Sequence, residues 1–299
     1  MNIKILSLFL PVLLFTGCIH ETLDPCPVGG DVKVNIYTEK FQAVTHDFEQ
    51  DMEPSFNTRI KDIHYFLFKD NALIEEGRIA DTSPYSGPSY VFERQGLEFG
   101  DYCLAIVSNC SAFIGGNTPD DLFFTYAGVD NTEDYFAVSF PFTIDCDCQS
   151  EYNTYLERAH GVIRYSFYDV PDYLTGIEVS ITNLGNKKQI NGDYAGQMEV
   201  TKRIPVSQLL PARDTDKALT LVLGTFPTTK GEQSSCKISL YRDEEEAPWY
   251  SETITDNAII RRNQLLEIIA RFIGGIPSFE VKIDTAWDGS NSGGGTDIN

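Results

Sequence analysis

Val32-Lys33-Val34-Asn35-Ile36-Tyr37 alternates apolar and polar side chains with a period of two. That is the pattern of a strand with one face in a core and one in water. The same grammar continues downstream. Ile60 to Phe68, read IKDIHYFLF, runs into Asp70-Asn71, which turn the chain into Ala72 to Arg78. Tyr90 to Phe92 is a third strand region. Tyr102-Cys103-Leu104-Ala105-Ile106-Val107 is almost continuously apolar, as in a strand buried on both faces. Phe123 to Tyr126 and Tyr135 to Phe142 complete a first set.

A second set comprises Val162 to Tyr168, Ile177 to Thr182, Met198 to Pro205, Leu219 to Thr225 and Lys237 to Arg242. In Ile259 to Phe272 the positions of Leu265, Leu266, Ile268, Ile269 and Phe272 fit both helical and strand periods. Its β-branched content and the Gly274-Gly275 pair after it favour a strand. Phe279-Glu280-Val281-Lys282-Ile283-Asp284 alternates cleanly and ends near Trp287. Many short strands punctuated by Gly, Pro, Asn and Asp make the chain all-β, with β-sandwiches the expected architecture. A polar, Asp-rich link near residues 145–156 separates the two sets, giving sandwich domains over 32–150 and 151–288. Residues 289–299, with Gly293-Gly294-Gly295, read as a flexible tail.

The front end carries a different signal. Lys4 precedes the apolar run Ile5 to Phe15, and Thr16-Gly17-Cys18 follows. A basic start, a short apolar run and small residues make an export signal, here residues 1–17. The run is shorter than the roughly 20 residues a bilayer span needs. Small residues ending in cysteine resemble a lipobox, with Phe15 in place of the usual leucine. Cleavage before Cys18 would leave a thiol for a diacylglycerol thioether and a new amino end for acylation, and several acyl chains hold far better than one. An ordinary secretory signal with an incidental cysteine is the alternative. Residues 18–31 then form a lipidated leader. Ile19 in place of aspartate removes an inner-membrane retention cue. His20-Glu21 and Asp24 resemble the surface-export signal of lipoproteins from gut and oral anaerobes.

The 299 residues include 23 Lys and Arg against 44 Asp and Glu, a net charge of −21, of which the signal holds a single lysine. Such a surface disfavours nucleic acid and anionic lipid as partners, because both need basic patches. Acidic runs such as Asp243-Glu244-Glu245-Glu246 read as solvated loop tips, and Asp130 to Asp134 lacks the spacing of a calcium loop. Besides Cys18 there are Cys26, Cys103, Cys110, Cys146, Cys148 and Cys236. An oxidising compartment permits bridges between them. Cys103 and Cys110 flank a strand end and its turn, a candidate local disulfide. Cys146 and Cys148 lack a second ligand pair at zinc-site spacing, so no metal is expected.

Neither a cofactor nor catalysis is expected. His20, His46, His64 and His160 have no motif partner, and the chain lacks a G-x-S-x-G elbow, an H-E-x-x-H pair and a phosphate-binding glycine loop. Carbohydrate binding is a separate reading, carried by rings in loop regions: Tyr85, Tyr90, Tyr126, Tyr135, Tyr152, Tyr155 and above all Trp249-Tyr250. Exposed rings stack on sugar faces. Packing of these rings in cores and at strand ends is the alternative.

Several segments together resemble the FimB-type fimbrial anchor lipoproteins, accessory subunits of type V pili. They are Cys18 with its acidic, cysteine-containing leader to Asp31, Ile60 to Phe68 running into Lys69-Asp70-Asn71, and Leu97-Glu98-Phe99-Gly100-Asp101-Tyr102, similar to an L-x-x-G-x-Y step. Glu157 to Tyr165 is similar to the opening of that family's second domain. Phe279 to Trp287 is similar to its last strand, with Thr285-Ala286-Trp287 in place of N-G-W. The resemblance implies two tandem transthyretin-like sandwiches, attachment to the outer membrane through lipid, and a role in anchoring a fibre and limiting its length. It further implies joining to stalk subunits by strand exchange, in which a neighbour's strand fills an incomplete sandwich. An anchor must keep its first strand. Val32 to Tyr37 contains no arginine and the next is Arg59, although Lys33 and Lys40 remain open to a lysine-specific protease. Phe279, Val281 and Ile283 would be the donated face; the alternative is that they close their own domain. A tip adhesin whose mature form lacks Cys18 is a third reading.

Overall fold

The computed structural model describes residues 29–39, 55–110, 112–129, 134–145, 149–211, 218–242, 246–256 and 258–284. The signal, Cys18, Cys26, His20, His46, Cys146, Cys148, Asp130 to Glu133, Asp243 to Glu245 and the tail with Trp287 lie outside the described residues. The first half supplies β1 (Gly29–Thr38), β2 (Ile63–Lys69), β3 (Ala72–Ile79), β4 (Ser89–Glu98), β5 (Gly100–Ser108), β6 (Phe113–Ile114), β7 (Phe123–Thr125), β8 (Phe136–Ile144) and β9 (Gln149–Arg158). The second supplies β10 (Gly161–Tyr168), β11 (Leu174–Leu184), β12 (Lys187–Gln189), β13 (Tyr194–Ala195), β14 (Met198–Pro205), β15 (Leu210–Pro211), β16 (Ala218–Thr225), β17 (Cys236–Arg242), β18 (Tyr250–Ile254), β19 (Leu265–Ile273) and β20 (Ile276–Asp284). The chain is all-β, as its alternation requires, and no helix among the described residues is long and apolar enough to cross a membrane.

The first seven long strands hydrogen-bond in the order β3-β2-β5-β8-β9-β1-β4. β8 and β9 meet only at Phe136↔Arg158 and Ala137↔Glu157. The sheet therefore splits beyond that corner into two leaves that close on each other as a sandwich. Val32, Val34, Ile36 and Phe92 from one leaf meet Ile63, Leu67, Leu104 and Ile106 from the other. β1 is interior to its leaf, antiparallel to β4 and parallel to β9. The outer edges of the leaves are clasped by Arg94 on β4. Its guanidinium donates to Glu75 of β3 at 2.9–3.0 Å and to the Tyr65 hydroxyl of β2 at 2.8 Å.

The second sandwich packs β15-β16-β10-β19-β20 against β14-β11-β17-β18. Tyr165, Phe167, Ile177, Val179, Leu223, Ile238, Leu240 and Ile268 fill its core. The segment with two periods resolves as β19, which begins at Leu265 and turns through Gly274 and Gly275 at φ +61° and +85° into β20. Both values are left-handed and suit the two-glycine hairpin. Asp70 and Asn71 take the same region, φ +49° and +65°, between β2 and β3. β9 spans Gln149–Arg158 within the first sandwich, so the change of sheet falls at Ala159-His160, after the 150/151 division read from the sequence. The Asp-rich segment at 145–148 connects two strands of one sandwich instead of two domains.

A fourth, small sheet, β13-β12-β7-β6, takes two strands from each half. Under it lies a separate core of Phe66, Phe68, Ala105, Val107, Leu122, Phe124, Tyr135, Ile190 and Phe226. This explains the unbroken apolar run of β5: Leu104 and Ile106 point into the sandwich, while Ala105 and Val107 point into the junction. We expect Ile36→Ala, which empties a site at 0% exposure in β1, to cost about 2–5 kcal/mol in urea unfolding. Ile74→Ala on the open face of β3, where Ile74 is 50% exposed, should stay within about 0.5 kcal/mol of the parent.

Candidate functional site

β1 is the first described element of the chain, and it starts at Gly29, within the stretch 18–31 that the sequence reads as a leader. Its buried face is Val32, Val34 and Ile36. Its outer face is bound laterally: Lys33 pairs with Glu151 of β9 at 3.0 Å, and the Asn35 amide donates to Glu151 at 2.9 Å and to Asn153 at 3.1 Å. Thr38 pairs with Leu156 close to the sandwich junction, whereas Gly29 sits at the remote end, opposite Glu98.

Cys103 and Cys110 are not brought together. Cys103 lies within β5 and Cys110 beyond its end, and an extended chain climbs about 3.3 Å per residue, which exceeds the Cα spacing a disulfide tolerates. The Cys103 thiol instead meets the Ser139 hydroxyl at 3.2 Å, and the Cys110 thiol donates to the Ala112 carbonyl at 3.3 Å. Both are free, as is Cys236. Burial raises all three thiol pKa values, to about 11 for Cys110 and Cys236. They stay protonated and are poor nucleophiles. Among the described residues no group of three or more metal-ligating side chains converges.

Phe279, Val281 and Ile283 fall on β20, which pairs with β19 along its length and forms the edge of its sheet. Phe279 and Val281 pack against the core of their own sandwich, while Ile283 is exposed. Trp249 and Tyr250 sit at the start of β18, facing β20 across the open side of the sandwich. Tyr250 stacks near Phe279 with centroids 6.4 Å apart. The Arg242 guanidinium covers the Trp249 ring at 3.8 Å, and Tyr173 meets its edge at 5.6 Å. Both rings also contact the core, so the pair is a packed cluster rather than an open platform. Of the other rings, Tyr90 and Tyr135 are buried, Tyr126 joins the junction, Tyr85 packs on Tyr90, and Tyr152 packs on Phe140. Tyr155 stays exposed beside Tyr37.

The site that sequence reasoning missed is the polar node between the sandwiches. Arg158, at the end of β9, is fully buried and donates from Nε and Nη2 to Asp134 Oδ1 at 2.9 and 2.7 Å. Its backbone N–H donates to Glu39, just past β1, and Glu39 also receives Arg262, just before β19. The Tyr194 hydroxyl donates to the Ala159 carbonyl at 2.6 Å. His160 Nδ1 accepts the Tyr135 backbone N–H at 3.2 Å, and the Asn263 N–H donates to the His160 carbonyl at 2.8 Å. Five separated chain segments converge here. Glu157-Arg158-Ala159-His160 marks the spot in the sequence, but the partners are up to 119 residues away.

Burial, with the Arg158 charge beside it, lowers the His160 pKa from 6.5 to about 3. The folded state therefore holds this imidazole neutral where the unfolded chain would protonate it. Stability is full above about pH 6.5 and falls as pH drops toward 3, by up to about 1.4 kcal/mol per unit. We expect His160→Gln to flatten that slope in acid-dependent unfolding curves. The change should be clearest above about pH 5, before Glu75 and the other carboxylates titrate. Asp134→Ala removes the carboxylate that pairs with the fully buried Arg158 guanidinium and should cost about 3–5 kcal/mol in urea unfolding.

No protein-family profile matches the chain, and no curated protein matches it by sequence. Solved structures do match its fold. One is a Bacteroides thetaiotaomicron protein provisionally described as an adhesin: TM-score 0.59, 11% identity, covering 89% of this chain and 98% of that one. A second from the same organism, provisionally described as polysaccharide-binding, gives TM-score 0.58 and 10% identity over 86% and 96% of the two chains. The fimbrial anchor protein Mfa2 from Porphyromonas gingivalis gives TM-score 0.53 and 11% identity over 86% and 97%. At such identities the likeness is one of fold, and it spans both sandwiches and their junction.

Proposed function

We propose that this chain is a lipid-anchored minor subunit of a surface fibre, held in the outer membrane through Cys18 and joined to stalk subunits at its far side. The observation that carries the reading is the place of β1. The strand that follows the lipidated leader is interior to its leaf, bonded on both edges and buried on one face. A tether attached there is continuous with the core. Removing β1 by proteolysis would open the sandwich between β4 and β9, which suits a subunit that receives strands and not one that must stay fixed. Lys33, the lysine within β1, is ion-paired on paired strand backbone, a poor protease substrate. The fold shared with a fimbrial anchor protein supports the same reading, as does the resemblance carried by Cys18 and the L-x-x-G-x-Y step. The role is structural and needs no catalytic group.

Carbohydrate binding has narrower support. A structure of like fold is described in those terms, yet Trp249 is covered by Arg242 and Tyr173. A tip adhesin would share the fold but lose Cys18 and, with it, the tether. Intact-mass and amino-terminal peptide spectrometry of the surface protein separates these readings. We expect a mature chain that begins at Cys18 and carries acyl groups, with β1 present. A mature form starting downstream of Tyr37, or a Cys18 without lipid, refutes the anchor. Cys18→Ala should shift the protein from the membrane fraction to the medium at least tenfold.

A further inference from the structure

On the outer face of the first leaf, β1 and β9 set unlike side chains side by side. Their parallel register places Lys33 beside Glu151, Asn35 beside Asn153 and Tyr37 beside Tyr155. Asparagine is depleted in strands, and this pair lies outside the core that the two leaves enclose. The Asn35 amide nitrogen donates to Glu151 Oε1 at 2.9 Å and to Asn153 Oδ1 at 3.1 Å. Those bonds fix the two carboxamides and use neither the Asn35 carbonyl oxygen nor the Asn153 amide nitrogen. Next along the strands, Tyr155 is 57% exposed, its ring 5.4 Å from that of Tyr37 and tilted 31° to it. β8 bonds to β9 only opposite Glu157 and Arg158, so no strand pairs beside Tyr155 on the side away from β1.

Toward Gly29 the same leaf becomes concave. Asp31, Lys33, Glu93, Gln95, Ser150 and Glu151 line a hollow of about 370 Å³, within the roughly 300–1,000 Å³ of small-ligand sites. Its wall is held in place: Asp31 accepts the Gly96 N–H at 2.9 Å, and Lys33 pairs with Glu151 at 3.0 Å. From Glu151 to Tyr155 the strand climbs about 13 Å at about 3.3 Å per residue, room for more than one sugar ring. The hollow, the asparagine pair and the tyrosine pair therefore follow one another along a single track. Its chemistry selects a ligand. A ring offers a surface for the C–H face of a sugar, and a carboxamide donates and accepts at once, as neighbouring hydroxyls require. Asp31, Glu93 and Glu151 outnumber Lys33, so the track repels anions and suits an uncharged chain. Both backbone edges of β1 are already bonded, which removes ladder pairing with a peptide as the use of this central strand.

We propose that the outer face of β1 and β9 binds a neutral oligosaccharide, with Tyr155 stacking on one ring, Asn35 and Asn153 bonding the hydroxyls of the next, and the Asp31–Glu151 hollow seating the end of the chain. The Trp249-Tyr250 cluster has no part in it. This site goes beyond the anchor reading and does not depend on it, because it uses neither Cys18 nor a stalk subunit.

The test uses the full chain, extracted in detergent, on an array of neutral gluco-, manno- and xylo-oligosaccharides of increasing length, with uronate-containing oligosaccharides beside them. The strongest neutral hit is then titrated by calorimetry against the parent, Tyr155→Ala, Tyr155→Phe, Asn153→Ala and Tyr250→Ala, and each thermal midpoint is recorded. We expect the parent to bind neutral chains longer than one ring and to bind the uronate-containing ones more weakly. Tyr155→Ala should lose about tenfold or more in affinity at an unchanged midpoint, Asn153→Ala should weaken binding too, and Tyr155→Phe should keep it. A parent that binds no neutral oligosaccharide overturns the proposal, as does equal binding by Tyr155→Ala and the parent. Binding that Tyr250→Ala abolishes while Tyr155→Ala retains it moves the site to the second sandwich and overturns it as well. The amino-terminal mass of the same preparations decides the anchor reading separately, so the two fail independently.

Discussion

The structure depends most on the double-sided pairing of β1. A strand from the front of the chain sits parallel to β9, which is more than a hundred residues later, and antiparallel to β4. Without it β4 has no partner and β9 keeps only its two rungs to β8. Val32, Val34 and Ile36 would leave a gap on one wall of the first core, and the Arg94–Glu75 clasp would lose its footing on β4. Long-range parallel pairing of this kind closes a very large loop, an entropic cost that the contacts with both neighbouring strands must offset. The folded first half is therefore a statement about the first ten described residues as much as about the sheet they join.

The second constraint is that the two sandwiches are not beads on a linker. Ala159-His160 is too short and too buried to act as a hinge. Around it, β7 pairs with β12 and a dedicated apolar core sits beneath that small sheet. Arg158 adds specificity to that apolar contact. A fully buried guanidinium is costly unless paired, and Asp134 supplies the pair only when the start of β8 and the end of β9 are in register. Lys188 shows the same logic on β12. Burial lowers its pKa, and its ammonium is met by the Gln189 and Gly192 carbonyls.

What the sequence displayed, and what it hid, follows from the range of each interaction. Alternation at Val32 to Tyr37 and at Phe279 to Asp284, and the turn chemistry of Asp70-Asn71 and Gly274-Gly275, are local signals and led to the observed strands. The unbroken run at Tyr102 to Val107 signalled burial on both faces, but not that the second face belongs to the junction. The junction strands are two or three residues long, Phe113–Ile114 and Tyr194–Ala195 among them, too short for any period to register. The Asp-rich segment near 145 has the composition of a domain link, yet β8 and β9 on either side of it belong to one sandwich. Cys103 and Cys110 are close in sequence, but the extended end of β5 separates them in space. For Trp249-Tyr250, sequence showed two adjacent rings but not the Arg242 side chain that covers one of them.

These parts combine into one load path. If the leader is held in lipid and a fibre pulls on the second sandwich, tension enters β1 at Gly29 and leaves the first sandwich at the far end of β9, where Arg158 meets the junction. β1 and β9 are parallel, so those two points lie at opposite ends of a paired ribbon. Pulling then shears the ladder lengthwise, and every rung from Asp31↔Gln149 to Thr38↔Leu156 resists together, whereas an antiparallel β1–β9 pair pulled from one end would open rung by rung. The next link is equally direct. Glu39, at the end of β1, holds both the Arg158 backbone and the Arg262 side chain, so part of the load bypasses the Ala159-His160 connection and passes to the chain entering β19. β19 runs beside β10 in the same direction, away from the junction, and carries the Ile273–Ile276 tip at its end. An interior parallel first strand is a demanding thing to fold, and resistance to lengthwise shear is the mechanical property it would confer on a tethered chain.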